Sequence, residues 1–218
     1  MFDPAAPGVQ PNEEFVWDAA RRVGAVAGLS LVQRRAKLLR ILSPQMGPAQ
    51  FEHLAVHSEQ VGRTAGRIAG LMRIPPAEVE RIRIAGLLHD LGKALVPEYV
   101  LGREGPLSDS DRFLINRHDD DGAELCTLLG APPDIVEDVR DHHRRADGAD
   151  GDGTPPLGAR IIRVADALSV MTTGRVYSTA RTFAQALCEL RKGRGGDFDA
   201  DAVVAAHILG ASVMALAA

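Results

Sequence analysis

Histidine and aspartate side chains recur along this chain in an order that a metal site would need. His89 and Asp90 fall at the end of an amphipathic helix pattern, in the stretch GLLHDLGKALVP. One such pair is common and is most simply a polar helix end. Here other histidines and a distant aspartate accompany it, and divalent metals need several nitrogen and oxygen donors that converge at one point. The candidate ligands are His57, His89, Asp90, His118, His142, His143 and Asp166.

The donor types indicate which metals such a site would hold. Imidazole and carboxylate without thiolate fit Mn, Fe, Ni, Co or Zn, and they do not fit a Cys-rich structural zinc site. A lone histidine on an apolar face is more often a core residue than a ligand. Asp166 also lies among apolar residues, where burying an unpaired carboxylate costs free energy. The donors exceed what one ion needs, so we predict two ions. Asp90 is the natural bridge, and two ions roughly 3.5–4 Å apart activate water for attack on phosphorus.

Composition is typical of a soluble, mainly helical protein. Of 218 residues, 45% are hydrophobic, 25% are charged and 4% are aromatic, and the few aromatics argue against a β-rich fold. The net charge of −4 argues against a nucleic-acid polymer as partner. Without a long apolar run or a leader pattern, we expect no membrane span, no signal peptide and a cytoplasmic location. Cys126 and Cys188 lack a CxxC spacing and are predicted to be buried free thiols.

Helical periodicity and capping residues predict an all-α chain in two parts. Residues 1–47 are predicted to be a lead-in and two helices, the first capped by Asn12 and the second by Ser30. These two helices either pack on the main domain or form a dimer surface. Residues 48–218 are predicted to form the main domain, a helical bundle that carries all the candidate ligands.

Within the main domain, the pattern assigns several candidate ligands to particular elements. A long helix over 48–72 places His53 and His57 on one face, four residues apart. Gly and Pro predict a loop over 94–108. One helix is predicted to include 111–130, with His118 in its middle.

The collinear set of motifs resembles the HD superfamily of metal-dependent phosphohydrolases. More closely, it looks like the HD-GYP branch, whose characterised members hydrolyse cyclic di-GMP. The resemblance covers about residues 50–205 and implies an HD-domain helical bundle, here with two extra N-terminal helices. Its motifs are AVHSEQVGRTAG, HDLGK, GPLSDSD, NRHDDDGAEL, the pair His142–His143, LGARIIRVADAL, GRVYS and FDADAVV.

The resemblance also implies roles for individual residues. One ion would be held by His57, His89, Asp90 and Asp166, and the second by Asp90, His118, His142 and His143. With Asp90 as the catalytic centre, Lys93 would contact the scissile phosphate; without the motif, it would be a helix-end lysine paired with an acid. Arg175 would help to bind the dinucleotide. The two divalent transition-metal ions would be Fe or Mn foremost, with Ni, Co, Zn or Mg as alternatives.

Departures from the family pattern surround this core, and one of them is Ala146 in place of a tryptophan. Where the branch reads HHERWDGSGYP, this chain reads HHRRADGADGDGTPP, so Arg144 replaces a glutamate and the Gly-Tyr-Pro turn is absent. Ser169 replaces a second aspartate, and His53 replaces an acid that some members use for a third metal. The acidic loop is predicted to repel a dianionic ligand through Asp150 and Asp152, while Arg144 and its neighbour offer phosphate contacts.

These observations favour a metal-dependent phosphodiesterase that acts on a small nucleotide, and cyclic di-GMP is the substrate we favour. We predict that cyclic di-GMP is hydrolysed slowly and that generic phosphodiester analogues are cleaved at least comparably. One alternative is an HD phosphohydrolase that acts on another nucleotide. The other is a weakly active module that binds metal or nucleotide and serves in interactions. A homodimer or a signalling partner protein fits each hypothesis.

Overall fold

Helices form the regular structure of the described residues, which are 12–151, 153–173 and 181–216 of the computed structural model. These residues contain no strand, and a single bridge joins Arg194 to Phe198. The all-α prediction is confirmed. The α-helices are α1 (Glu13–Gly24), α2 (Leu31–Leu42), α3 (Pro48–Phe51), α4 (Ser58–Leu71), α5 (Pro76–Leu88), α6 (Glu98–Leu101), α7 (Asp109–Asn116), α8 (His118–Leu128), α9 (Pro133–Arg140), α10 (Leu157–Thr173), α11 (Phe183–Lys192) and α12 (Ala200–Leu216).

Side-chain caps begin several helices where the sequence predicts them. The Asn12 side chain accepts a hydrogen bond from the backbone of Glu14 at the start of α1. Ser30 and Gln33 form a reciprocal capping box at the start of α2. These bonds satisfy backbone N–H groups that have no partner inside the helix.

The two N-terminal helices pack against the main domain. A Cβ on Gly24 would lie 1.8 Å from the carbonyl oxygen of Leu128, so α1 approaches the end of α8 as only glycine allows. From α2, Arg34 Nη1 donates to the Leu129 carbonyl at 2.7 Å, and the buried Arg35 donates to the Leu54 carbonyl. These contacts attach both helices to elements that flank the candidate ligands.

Close backbone contacts in the centre bring the candidate ligands together. Helices α4 and α5 pack closely, and a Cβ on Gly86 would lie 3.0 Å from the Cα of Gly62. After α5 the chain forms a 3₁₀-helix, Leu91–Leu95, that packs on α8. A Cβ on Gly92 would lie 2.0 Å from the His118 carbonyl oxygen, so this glycine lets the two segments touch.

Several predicted boundaries are wrong in detail. The helix predicted over 48–72 contains a π-helical turn, Glu52–His57, between α3 and α4. The loop predicted over 94–108 contains α6, whose Glu98 carboxylate accepts backbone N–H groups of α3. Cys126 is buried as predicted, but Cys188 is exposed. Among the described residues, no helix combines the length and apolar character needed to cross a membrane.

The prediction that His118 lies in the middle of one helix is also wrong. The segment divides into α7 and α8, and His118 is the first residue of α8. Its ring Nδ1 donates to the carbonyl of Ile115 at 2.6 Å, which an uninterrupted helix would pair with the N–H of Asp119. The imidazole is thereby fixed at a helix start, directed into the bundle.

Candidate metal centre

Asp90 lies at the centre of the polar cluster, immediately after α5, with its side chain 1% exposed. Its Oδ2 lies 2.8 Å from Lys93 Nζ and 3.4 Å from His89 Nε2. The same oxygen lies 3.8 Å from His57 Nε2, whereas Oδ1 lies 3.4 Å from His118 Nε2. The two carboxylate oxygens therefore face different histidines, which is the arrangement that a bridging ligand needs.

Backbone carbonyls fix the orientation of three histidine rings. In each case Nδ1 bonds to the carbonyl three residues earlier, and a carbonyl can only accept, so Nδ1 carries the proton. Nε2 is left with a free lone pair that points into the cluster, as in metal-ligating histidines whose other nitrogen is hydrogen-bonded. The rings are His89, His118 and His142, at 2.8, 2.6 and 2.6 Å from their carbonyls.

The Ser169 hydroxyl fixes the orientation of the His57 ring in the same way, through a bond to Nδ1. Ser169 Oγ lies 3.3 Å from His57 Nδ1 and donates to Gln60 Oε1 at 3.3 Å. Since the hydroxyl has one proton, it accepts from Nδ1, which leaves Nε2 of His57 free. That nitrogen lies 3.0 Å from Asp166 Oδ1, on α10. Ser169 thus orients a candidate ligand at the position where the family pattern has a carboxylate.

Buried polar atoms without partners show that this donor set fits divalent cations. Side-chain atoms with no hydrogen-bond partner include Asp90 Oδ1, His118 Nε2, Asp119 Oδ1 and His142 Nε2. Leaving such atoms buried and unpaired costs free energy, and a cation placed between them would remove that cost. Donor atoms within 4.8 Å of one another form overlapping groups, namely His57–His89–Asp166, His89–Asp90–His142, His53–His57–Asp90 and His118–Asp119–His142–His143.

Desolvation favours the neutral form of three candidate ligand histidines, whereas Asp90 outweighs desolvation at His118 and raises the pKa of that ring. Burial lowers the pKa of His89 to about 4 and the pKa of His142 and His143 to about 3. Burial also opposes ionisation of Asp90, but interactions with the surrounding histidines and with the charge of Lys93 outweigh it and hold its pKa well below the usual value. Neutral imidazoles and an ionised carboxylate are the forms that bind metal.

The structure brings all seven predicted ligands into this cluster and places Lys93 and His53 beside Asp90. Lys93 is nearly buried and paired with Asp90. His53 Nδ1 lies 3.5 Å from Asp90 Oδ2, beside the first group of donors. Arg175 lies outside the described residues. Asp119 belongs to the cluster and was not predicted, although it follows His118 directly, as Asp90 follows His89.

The loop after His143 is held by bonds within its own segment and by bonds to residues 196–197. Arg144 donates to Asp141 Oδ2 at 3.0 Å and to the Gly153 carbonyl at 2.7 Å. Asp150 Oδ2 accepts from the backbone of Arg145 at 2.8 Å, so this carboxylate is turned into the loop. Asp152 lies outside the described residues. A phosphate contact from Arg144 stays a prediction, and it would require one of these bonds to be replaced.

Comparison with known proteins identifies the family. The family model described as HD domain matches residues 48–202. The chain belongs to the HD domain family. The predicted superfamily is therefore confirmed, and the matched residues include all seven predicted ligands.

Two curated relatives align with much of the family's segment. The chain is 34% identical over 153 residues to the cyclic di-GMP phosphodiesterase response regulator RpfG of Xanthomonas campestris pv. campestris. This alignment covers 65% of this chain and 39% of that protein. The chain is 30% identical over 152 residues to the cyclic di-GMP phosphodiesterase PA4108 of Pseudomonas aeruginosa, which covers 66% and 36%. This HD chain thus spans less than half the length of either relative.

A solved structure shares the fold. The HD domain of the phosphodiesterase PgpH from L. monocytogenes, in complex with cyclic-di-AMP, matches with a TM-score of 0.59 at 19% identity. The match covers 88% of this chain and 100% of that chain. At this identity the likeness establishes the helical HD fold alone.

Proposed function

We propose that this HD domain is a metal-dependent phosphodiesterase with a two-ion centre, and that its substrate is a cyclic dinucleotide. The observation that carries the proposal is the position of Asp90, whose two oxygens face separate groups of histidines. Two divalent ions bound there would supply a water-derived nucleophile and neutralise charge on a phosphodiester. Fe or Mn suits these nitrogen and oxygen donors best.

The remaining polar residues would position the substrate and keep the ligands in their binding forms. Lys93 Nζ stands at the Asp90 Oδ2 edge of the cluster, where its charge would stabilise a phosphate oxygen. His143, with 43% of its side chain exposed, marks the solvent-facing edge. We assign Arg175 to the dinucleotide, as the family pattern implies.

Cyclic di-GMP is the substrate that we favour, because both curated relatives are named for its hydrolysis. We expect the domain to act on a cytoplasmic nucleotide, as a homodimer or with a signalling partner protein. The pairing of Arg144 within its own loop favours slow turnover, since this cation is already engaged. The same pairing supports the second candidate, a weakly active module or a hydrolase for another nucleotide.

The test is a substrate panel with anaerobically prepared protein loaded with Mn²⁺ or Fe²⁺. The panel contains cyclic di-GMP, cyclic di-AMP and a generic phosphodiester, and the control is the Asp90→Asn variant. Our proposal expects slow cleavage of cyclic di-GMP that the variant lacks. Cleavage of none of these compounds by metal-replete protein would contradict the enzyme assignment and favour the interaction module.

A further inference from the structure

The chain contains a second His-Asp pair, His118–Asp119, which lies close to the first pair, His89–Asp90. His89–Asp90 and His118–Asp119 each place an imidazole with Nδ1 bonded to the carbonyl three residues earlier. Both pairs meet because Gly92 lets the 3₁₀-helix touch the start of α8. His118 Nε2 therefore faces both carboxylates, with Asp90 Oδ1 at 3.4 Å and Asp119 Oδ1 at 3.0 Å.

The surroundings of Asp119 are those of a ligand rather than of a surface acid. Its Oδ1 is buried and has no hydrogen-bond partner. This oxygen lies 3.0 Å from His118 Nε2, 3.7 Å from His142 Nε2 and 3.9 Å from His143 Nε2. Donors bound to one ion at 2.0–2.2 Å and at right angles are about 3 Å apart. The four atoms thus converge as a metal's donors do.

The neighbouring tautomers strengthen this interpretation. His118 and His142 both give their Nδ1 proton to a carbonyl, so each neutral ring offers only a lone pair at Nε2. A carboxylate oxygen facing such lone pairs is repelled unless a cation lies between them. Asp120, the residue after Asp119, differs because its side chain is 82% exposed and pairs with Arg140.

We propose that Asp119 is a direct ligand of the second ion, together with His118, His142 and His143. This inference rests on the proposed two-ion centre and specifies that the two ions have different numbers of protein ligands. With Asp90 shared, the second ion would have five protein donors and the first ion four. Fewer positions at the second ion are then open to substrate, so the phosphodiester would bind chiefly at the first ion. Lys93 lies on that side, since it shares Asp90 Oδ2 with His57 and His89.

The experiment measures Mn²⁺ binding by equilibrium dialysis and electron paramagnetic resonance, without substrate. Asp119→Asn preserves size and removes the charge, Asp120→Asn is the matched control, and His118→Ala reports loss of the second ion. Far-UV circular dichroism checks that each variant is folded. We expect Asp119→Asn to weaken one of two ions at least about tenfold, the loss typical even of groups that only support a ligand. The coupled two-ion spectrum should give way to that of an isolated ion, as in His118→Ala.

The outcomes separate this inference from the proposed function. Two ions bound by Asp119→Asn with the affinity of wild type and of Asp120→Asn would overturn the ligand assignment and leave the two-ion centre intact. Equal weakening by Asp119→Asn and Asp120→Asn would also overturn it, because a general charge effect would then explain the loss. Absence of bound ions in wild-type protein would overturn both proposals.

Discussion

Replacing Asp90 by asparagine should weaken both ions at once, whereas replacing any other predicted ligand should weaken mainly one. The substitution keeps the shape of the side chain and removes one negative charge between the two donor groups. Oδ2 faces His57 and His89, and Oδ1 faces His118, so the loss reaches both sides. Asp166→Asn is the matched comparison, because Asp166 contacts His57 at one end of the cluster.

The magnitude follows from what Asp90 touches. Loss of a group that only orients a ligand costs 10–100-fold in metal affinity, so loss of a shared charged ligand should cost at least about 100-fold for each ion. That factor corresponds to about 2.7 kcal/mol per ion. In metal-free protein the variant also leaves Lys93 nearly buried without its partner, and breaking a buried ion pair costs about 3–5 kcal/mol.

Two assays measure these effects separately. Equilibrium dialysis against buffered Mn²⁺ gives the number and affinity of bound ions, and urea unfolding in EDTA gives the stability of the metal-free state. Asp90→Asn should lose both ions at concentrations that saturate wild type, while Asp166→Asn keeps one. Retention of two ions by Asp90→Asn with unchanged affinity would refute the bridging assignment.

Three further predictions address other parts of the centre. The Lys93→Met variant should keep two ions and hydrolyse its substrate about 10²–10³-fold more slowly, because loss of one transition-state donor has an effect of this size. An unchanged rate would show that Lys93 has no catalytic role. The Ser169→Ala variant lacks the hydroxyl that bonds to the His57 ring, so its affinity for the first ion should fall about 10–100-fold, as measured by chelator competition. Unaltered competition would show that the hydroxyl does not orient the ring. Metal-free protein should lose stability as the pH falls from 6 to 4. Burial lowers the pKa of His89 to about 4 and that of His142 to about 3, and their partners hold the pKa of Asp90 and Asp166 below its usual value, so the unfolded chain binds more protons. Asp119 and Asp138, with pKa raised to about 6, and His118, whose pKa is also raised, offset part of this. A urea midpoint that stays constant or rises toward pH 4 would contradict the prediction.

The convergence of the seven candidate ligands was predictable because residue type and order carry its signal. Imidazole and carboxylate groups at helix ends are expensive to bury singly, so their repeated occurrence beside apolar faces points to one shared purpose. Helix caps such as Ser30 were predictable for a local reason, since the capping bonds join residues close in sequence.

Asp119 was missed because its role depends on tertiary contacts. It begins a run of three aspartates, and only its position directly after His118 distinguishes it from Asp120 in the sequence. Only the break between α7 and α8, with the approach of Gly92 to His118, turns Asp119 toward the histidines. The internal pairing of Arg144 escaped prediction for the same reason, because it requires knowledge of how the loop folds back to Gly153.

The number of metal ions per chain tests the two-ion centre most directly. Protein purified without chelator and reconstituted anaerobically with Mn²⁺ or Fe²⁺ should contain about two ions per chain by plasma mass spectrometry. The observation behind this expectation is the convergence of unpaired Asp90, His118 and His142 atoms. A chain that retains no ion after purification, and takes up none on reconstitution, would contradict the two-ion centre and the phosphodiesterase mechanism that depends on it.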